Sequence, residues 1–222
     1  IIAINFFGEI YQEDENTKVW PAIKMVVGDV ADEFGRHPFL KMLANGDYTG
    51  IFIIQDIGII TPIIPMLKKI QRGYRKSGKK PFKSVFYFPI DGIPLKSWFN
   101  DIDFFDVPVA YTQYAKKEIL KCRPDLEKKL QVILHGNNPD HFYPLEKEKK
   151  LRFRKEYFGD NTHKFIINAT NRNQPRKDLP TLILGFKRYK EAFNPDAFLY
   201  LHCNPTDHMG WNLYTIMEQL DL

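Results

Sequence analysis

Two cationic side chains stand just after an apolar run in the second half of the sequence. The run KFIINAT (164–170) leads into NRNQPRK (171–177), and an apolar-periodic segment follows at once. Arg172 can hold two phosphate oxygens together, and Lys177 adds a compact point charge. At a helix start, where free N–H groups already favour anions, this pair would neutralise a diphosphate group. A solvated basic turn without a ligand is the alternative that the residue types leave open.

A carboxylate occupies a second predicted strand-to-helix turn, within FYFPIDGIPLKSWF (86–99). If Asp91 faces a cleft, it could bind the hydroxyl group of an acceptor or act as a base. Because Gly92 follows it, Asp91 also fits a plain turn pair. Both interpretations stay open, and we treat Asp91 as a candidate catalytic residue on the acceptor side.

A third candidate lies in ILHGNNPDHFYP (133–144), where a predicted strand ends in His135, Gly136 and Asn137. The histidine is either a structural residue or part of a ligand-facing surface. Gly136 indicates a close backbone approach or a positive φ. We expect these three residues to line a cleft or hinge.

The segment LKKIQRGYRKSGKKPFK (67–83) holds eight Lys or Arg residues and no acidic residue. Apolar residues at helical spacing between Ile63 and Tyr74 predict a buried stripe, which leaves the cations on the solvent face. That face either solubilises the protein or contacts a polyanion or an anionic membrane. Nucleic acid is not expected as a partner, because aromatic residues are not interleaved with the cations.

Metal binding is not expected from the polar residues near the end of the chain. LHCNPTDHMGWNL (201–213) contains His202, Asp207 and His208, but their spacing matches no familiar set of metal ligands. A loop that faces a nucleotide or packs against a domain is the preferred interpretation. Cys122 and Cys203 are expected to be reduced thiols in a cytoplasmic protein.

The bulk composition is that of a globular protein with an anionic partner. The chain has 222 residues, of which 44% are hydrophobic and 27% charged, with a net charge of +5 and a pI of about 9.0. No apolar run reaches eighteen residues, and the N-terminus lacks the basic start of a signal peptide. The chain begins without Met, so we expect it to be the middle of a longer protein.

Short apolar runs alternate with longer amphipathic ones. Their spacing of 23 to 34 residues is the room that a strand–helix–strand unit needs, so we predict an α/β fold with mainly parallel sheets covered on both faces. A helix is predicted over 178–193 with Asp178 as its N-cap, and Thr112 is predicted to cap another. The predicted strands are GIFIIQD (50–56), SVFYFP (84–89), VPVAYT (107–112), LQVILHG (130–136), KFIINAT (164–170) and AFLYLHCN (197–204).

Several of these segments together resemble group 1 (family 4) glycosyltransferases. HGNNPDHFYP is similar to the hinge signature of that family, although Asn138 stands where Asp is usual. NRNQPRKDLPTLILGF, FLYLHCNPTDHMGWNL and VAYTQYAKKEIL resemble three further family segments. The similarity extends from about residue 48 to the end of the chain.

The resemblance implies a GT-B fold, in which two Rossmann-like domains face each other, both incomplete in this chain. It implies an acceptor-side domain over 1–140, a hinge over 141–163 and the first part of a nucleotide-sugar domain over 164–222. Arg172 and Lys177 match the family's cations that hold the donor diphosphate. Transfer would retain the anomeric configuration, use a nucleotide-diphosphate sugar as substrate and require no metal or other cofactor. The acceptor would be a glycan, a lipid or a protein.

Besides Asn138, the sequence departs from the family pattern in three further respects. Pro89 stands where many members have a histidine, and the Gly-rich first loop is not found. The family's glutamate pair is expected beyond Leu222, so the chain alone is expected to be inactive. Two other functions stay open: a non-catalytic α/β module that binds polyanions or partner proteins, and a GT-B-like sugar-nucleotide epimerase.

Overall fold

The computed structural model describes residues 2–5, 11–15, 17–21, 34–92 and 96–222. The chain divides into two compact units, Ile1–Asn137 and Asn138–Leu222. The N-terminal segment expected to begin the acceptor-side domain is therefore described only in part. The segment expected to form the hinge, 141–163, lies at the start of the second unit.

The described part of the first unit contains two sheets and four α-helices. Its smaller sheet has the order β1-β3-β2, with β1 parallel and β2 antiparallel to β3, and its larger sheet is parallel throughout, with the order β4-β5-β6-β7. The strands are β1 (Ile2–Asn5), β2 (Tyr11–Asp14), β3 (Thr17–Pro21), β4 (Gly50–Ile54), β5 (Lys83–Phe88), β6 (Val107–Ala110) and β7 (Gln131–Val132). The helices are α1 (Arg36–Asn45), α2 (Ile57–Ile60), α3 (Ile64–Lys76) and α4 (Gln113–Cys122).

The core of the first unit lies on one face of the larger sheet. Strand β5 shows why, since Ser84, Phe86 and Phe88 are fully buried whereas Tyr87 on the other face is half-buried. Aromatic rings fill this core, and the ring centroids of Phe86 and Phe105 are 4.8 Å apart. Burying large apolar side chains in this way is the main favourable term in folding.

The prediction that both faces of this sheet are covered is wrong for the described residues. Phe52 and Ile54 of β4 are 63% and 56% exposed, and Ile54 is paired in register with Tyr87. The strands follow one another in chain order, and right-handed crossovers then place the connecting segments on a single face. Strand β7 is also shorter than its apolar run predicts, which leaves Ile133 and Leu134 exposed.

Helix α3 has the amphipathic arrangement that the sequence predicts. Ile64, Leu67 and Tyr74 are buried, and Tyr74 donates a hydrogen bond from its hydroxyl to the carbonyl of Leu43 at 2.8 Å. Thr112 caps helix α4 as predicted, and its Oγ1 accepts the backbone N–H of Ala115 at 3.0 Å. Among the described residues, none of the helices has the length and apolar character needed to cross a membrane.

The second unit is a two-stranded parallel sheet with three helices. Its core is formed by Leu179, Ile183 and Leu213, which pack between α6, α7 and the sheet. The unit consists of α5 (Lys147–Phe158), β8 (Ile166–Thr170), α6 (Leu179–Ala192), β9 (Phe198–His202) and α7 (Leu213–Gln219). Strands β8 and β9 are the last two of the six predicted apolar strands, and α6 lies within one residue of its predicted bounds.

Candidate functional site

The loop after β8 carries the two cations singled out in the sequence. Arg172 lies two residues beyond the carboxyl end of β8, in the loop that enters α6, which is where ligands of parallel sheets bind. Its Nε donates a hydrogen bond to Oδ2 of Asp207 at 2.9 Å. Only this donor of the guanidinium has a partner among the described residues, so both Nη groups are free to receive an anion.

Lys177 ends a short helical turn, Pro175–Lys177, that links this loop to α6. It is exposed, and its ammonium group has no hydrogen-bond or ion-pair partner in the part of the chain that the structure describes. Asp178 occupies the predicted N-cap position of α6 but makes no capping hydrogen bond. Its φ of 45° is left-handed, because the preceding turn ends there, whereas a capping side chain normally needs an extended backbone.

Asn173, between the two cations, is completely buried. Its Nδ2 donates to the carbonyl of Trp211 at 2.6 Å, and its Oδ1 accepts the backbone N–H of Trp211 at 3.2 Å. Longer contacts of 3.4 Å lead from Nδ2 to the carbonyls of Asn204 and Pro205. The amide therefore fastens the loop after β9 to the loop after β8.

Arg172 and Asp207 shift each other's pKa values in the direction that favours their charged forms. The hydrogen bond from Arg172 lowers the pKa of Asp207, and the backbone N–H of Met209 lowers it further. The same hydrogen bond raises the pKa of Arg172. Both groups therefore stay charged over the physiological pH range. His208 is near, with Nδ1 3.4 Å from Oδ1 of Asp207.

A second polar cluster lies at the carboxyl end of the larger sheet, in the first unit. The ring of Tyr111 is 4.1 Å from that of Tyr87 and 4.1 Å from that of His135, measured between centroids. Burial raises the pKa of Tyr111, and the charges of Tyr87, Asp56 and Asp91 add to this effect. The four parallel strands thus bring aromatic rings and carboxylates to one edge.

The remaining predicted residues have simpler surroundings. Asp91 and His135 are exposed, as are Gly136 and Asn137. Gly136 has neither a positive φ nor a close neighbour, so neither reason predicted for a glycine there is found.

Nδ1 of His202 lies 2.9 Å from the hydroxyl of Tyr200. The described residues contain no group of three side chains that could hold a metal ion.

The sequence did not indicate three components of these clusters. The sequence places Asp207 only in a loop that faces a nucleotide or packs against a domain, with metal binding not expected, and Tyr87 and Tyr111 only in strands. The available signal is positional: Asp56 and Tyr111 each stand at the carboxyl end of a predicted apolar strand, the edge of a parallel sheet where ligands bind. No such rule indicates that Asp207 contacts Arg172, because that contact depends on the path of a loop.

Comparison with known proteins gives a result at the level of the fold. No protein-family model matches the chain, and no curated protein matches it either. A solved structure described as trehalose-6-phosphate from E. coli bound with UDP-2-fluoro glucose is similar, with a TM-score of 0.53 and 15% identity. A second, described as trehalose-6-phosphate synthase, OtsA, has a TM-score of 0.51 and 15% identity.

The similarity covers 99% of this chain in both comparisons, but only 61% and 59% of the two solved chains. The chain therefore spans about three fifths of the length of these structures. The predicted fold class is confirmed: the chain is α/β with parallel sheets, and it has the fold of GT-B glycosyltransferases.

Proposed function

We propose that this chain is part of a glycosyltransferase that moves a sugar from a nucleotide-diphosphate donor to an acceptor. The observation that carries the proposal is Arg172, held with both Nη groups free at the ligand end of β8, in the same connecting segment as Lys177. The GT-B fold supports it, as does the UDP-sugar bound in one similar structure. Group 1 (family 4) is the family that the sequence motifs favour.

The two cations would act on the donor when its sugar leaves. Cleavage of the bond between the anomeric carbon and the diphosphate oxygen leaves additional negative charge on the diphosphate. Arg172 would bind that charge through its two Nη groups, and Lys177 would add a point charge. Groups fixed in place before the reaction stabilise developing charge without reorganising. We propose that they do so without a metal and that transfer retains the anomeric configuration.

The acceptor side is assigned to the first unit. Asp91 would accept a hydrogen bond from the acceptor hydroxyl or take its proton, and the rings of Tyr111 and His135 would contact the acceptor nearby. Residues His135 to Asn137 would border the cleft. The proposed location is the cytoplasm, and the acceptor is a glycan, a lipid or a protein.

Thermal-shift measurements on the full-length gene product test the donor site. UDP, GDP and their sugars are compared for the wild type and for the Arg172→Ala, Lys177→Ala double variant. A matched control removes two exposed cations of the same unit, in Lys155→Ala, Arg188→Ala. We expect a saturable shift of the thermal midpoint in the wild type and the control, and none in the Arg172→Ala, Lys177→Ala variant. Equal shifts in all three proteins, or no shift in a folded wild type, would refute the proposal.

A second function is favoured by the exposed face of α3. Lys69, Arg72, Arg75 and Lys76 are exposed there, and residues 67–83 include no acid. This face would bind a polyanion or make peripheral contact with an anionic membrane. Binding through it should weaken steeply as salt is added, because counterions are released. Binding of a nucleotide sugar at Arg172 and Lys177 should respond less, so the salt dependence separates the two functions.

A further inference from the structure

We propose that Asp207 is a positioning residue, which holds Arg172 so that both Nη groups are presented to the donor diphosphate. The inference rests on the proposed function, because it takes Arg172 as a diphosphate ligand. The inference adds a role for Asp207, in the loop after β9, which the sequence motifs do not assign to it. Asp207 itself would not touch the donor and acts through Arg172.

The contact is asymmetric in a way that suits this role. The side chain of Asp207 is 9% exposed, whereas that of Arg172 is 55% exposed. One carboxylate oxygen accepts Nε–H of Arg172 at 2.9 Å, and the other accepts the backbone N–H of Met209 at 3.0 Å. The less exposed partner is thus fixed at both oxygens, while the exposed partner keeps the far edge of its guanidinium open.

The loop that carries Asp207 is itself fastened to the loop that carries Arg172. Asn173, the neighbour of Arg172, is fully buried and bonds both the N–H and the carbonyl of Trp211. Within the second loop, the N–H of Gly210 donates to the carbonyl of Asp207 at 2.8 Å. Asn173 therefore joins the two loops next to the ion pair, and the turn at Asp207 is closed within its own loop, so the carboxylate has little freedom to move away.

The physical gain is preorganisation of a long side chain. A free arginine distributes over many rotamers, and ordering it on binding reduces affinity. Asp207 also opposes binding, because its charge partly offsets that of Arg172, but this term is weak for an exposed guanidinium surrounded by water. Ordering outweighs the offset, so removal of the carboxylate should weaken binding. Lys177 has no such partner among the described residues and contributes charge without a fixed direction.

The test measures pyrophosphate affinity by calorimetry on the full-length gene product. Pyrophosphate is the diphosphate group without base or sugar, so the result does not depend on the donor's identity. Asp207→Ala should weaken binding about three- to tenfold, the factor for ordering one long side chain. Asp207→Asn retains one oxygen acceptor for Nε–H and should lose less. In a double-mutant cycle, Asp207→Ala should have no further effect once Arg172 is alanine.

A spectroscopic signal separates positioning from a general structural role. In ¹⁵N-labelled protein without ligand, the Nε–H resonance of Arg172 should be protected from exchange and should lose protection in Asp207→Ala. The matched control is Asp125→Ala, which breaks an ion pair of 2.7 Å with Arg123 in the first unit and should leave affinity unchanged. Thermal midpoints confirm that each variant is folded. If Asp207→Ala is not folded, the pyrophosphate affinity and the Nε–H exchange of Asp207→Asn test the inference instead.

The outcomes separate this inference from the function on which it rests. Unchanged affinity in Arg172→Ala would overturn the proposed diphosphate site and this inference with it. A loss in Arg172→Ala, with equal or tighter binding in Asp207→Ala, would overturn the positioning role alone. Additive losses in the double variant would also overturn it, because the two residues would then act independently.

Discussion

Replacing Asn173 with alanine should destabilise the second unit by about 2–4 kcal/mol. The side chain is fully buried and makes two well-formed bonds with Trp211, at 2.6 and 3.2 Å. Leaving a buried polar group without its partner costs about 1–3 kcal/mol per group. The two groups left without a partner are the N–H and the carbonyl of Trp211. Trp211 is half-buried, so water can reach part of its backbone, and the expected loss is therefore smaller than the maximum for two fully buried groups. Such a loss is a large fraction of the stability of a typical domain.

Urea unfolding followed by the fluorescence of Trp211 measures this change. Replacing Trp20 and Trp98 with phenylalanine makes Trp211 the reporter of the second unit. Asn168→Ala is the matched control, since Asn168 is exposed and makes a single long contact with Thr170 at 3.4 Å. The control should change stability by less than about 0.5 kcal/mol. A loss below about 1 kcal/mol in Asn173→Ala, with an unchanged slope, would refute the proposed fastening of the two loops.

Two further changes test the first unit. Thr112→Ala should destabilise it by about 1 kcal/mol in urea unfolding, because the N–H of Ala115 loses its cap. Thr112→Ser keeps a hydroxyl and should retain most of the stability. Equal stability of the wild type and both variants would contradict this prediction. Burial alone would raise the pKa of Asp106, but hydrogen bonds from Ser84 and Lys83 lower it below the ordinary value. Its contribution to stability is therefore complete above the unfolded pKa of about 3.9 and is lost as pH falls through the lower folded pKa. Asp106→Asn should flatten the fall of the thermal midpoint below about pH 4, and an unchanged slope would count against this assignment.

The larger sheet of the first unit, the sheet of the second unit and helices α3, α4 and α6 could be predicted because they depend on local periodicity, whereas the smaller sheet, β1 to β3, was not predicted. Apolar runs bounded by turn residues identified all six strands from β4 to β9, and helical spacing identified α6 to within one residue. The cap at Thr112 was predictable for the same reason, since its partner is only three residues away. Such patterns depend only on residues that lie close together in the chain.

The arrangement of the site depends on contacts between distant segments. Arg172 and Asp207 are 35 residues apart, and Asn173 and Trp211 are 38 residues apart. Residue types indicate that Arg172 can bind an anion, but not that a carboxylate in the loop after β9 fixes its direction. Asp178 shows the same limit at short range, because the turn before it imposes a left-handed backbone and prevents the expected capping bond.

The close approach of Gly210 to Asn173 has a consequence for how the sequence can vary. A Cβ at position 210 would lie 2.4 Å from both the backbone and side-chain oxygens of Asn173, a distance that backbone atoms cannot accommodate without moving. Glycine at position 210 is therefore required by the path of a segment 37 residues earlier in the chain. The backbone oxygen at position 173 is present whatever side chain stands there. A library that randomises position 210 should therefore return glycine, also where position 173 varies with it.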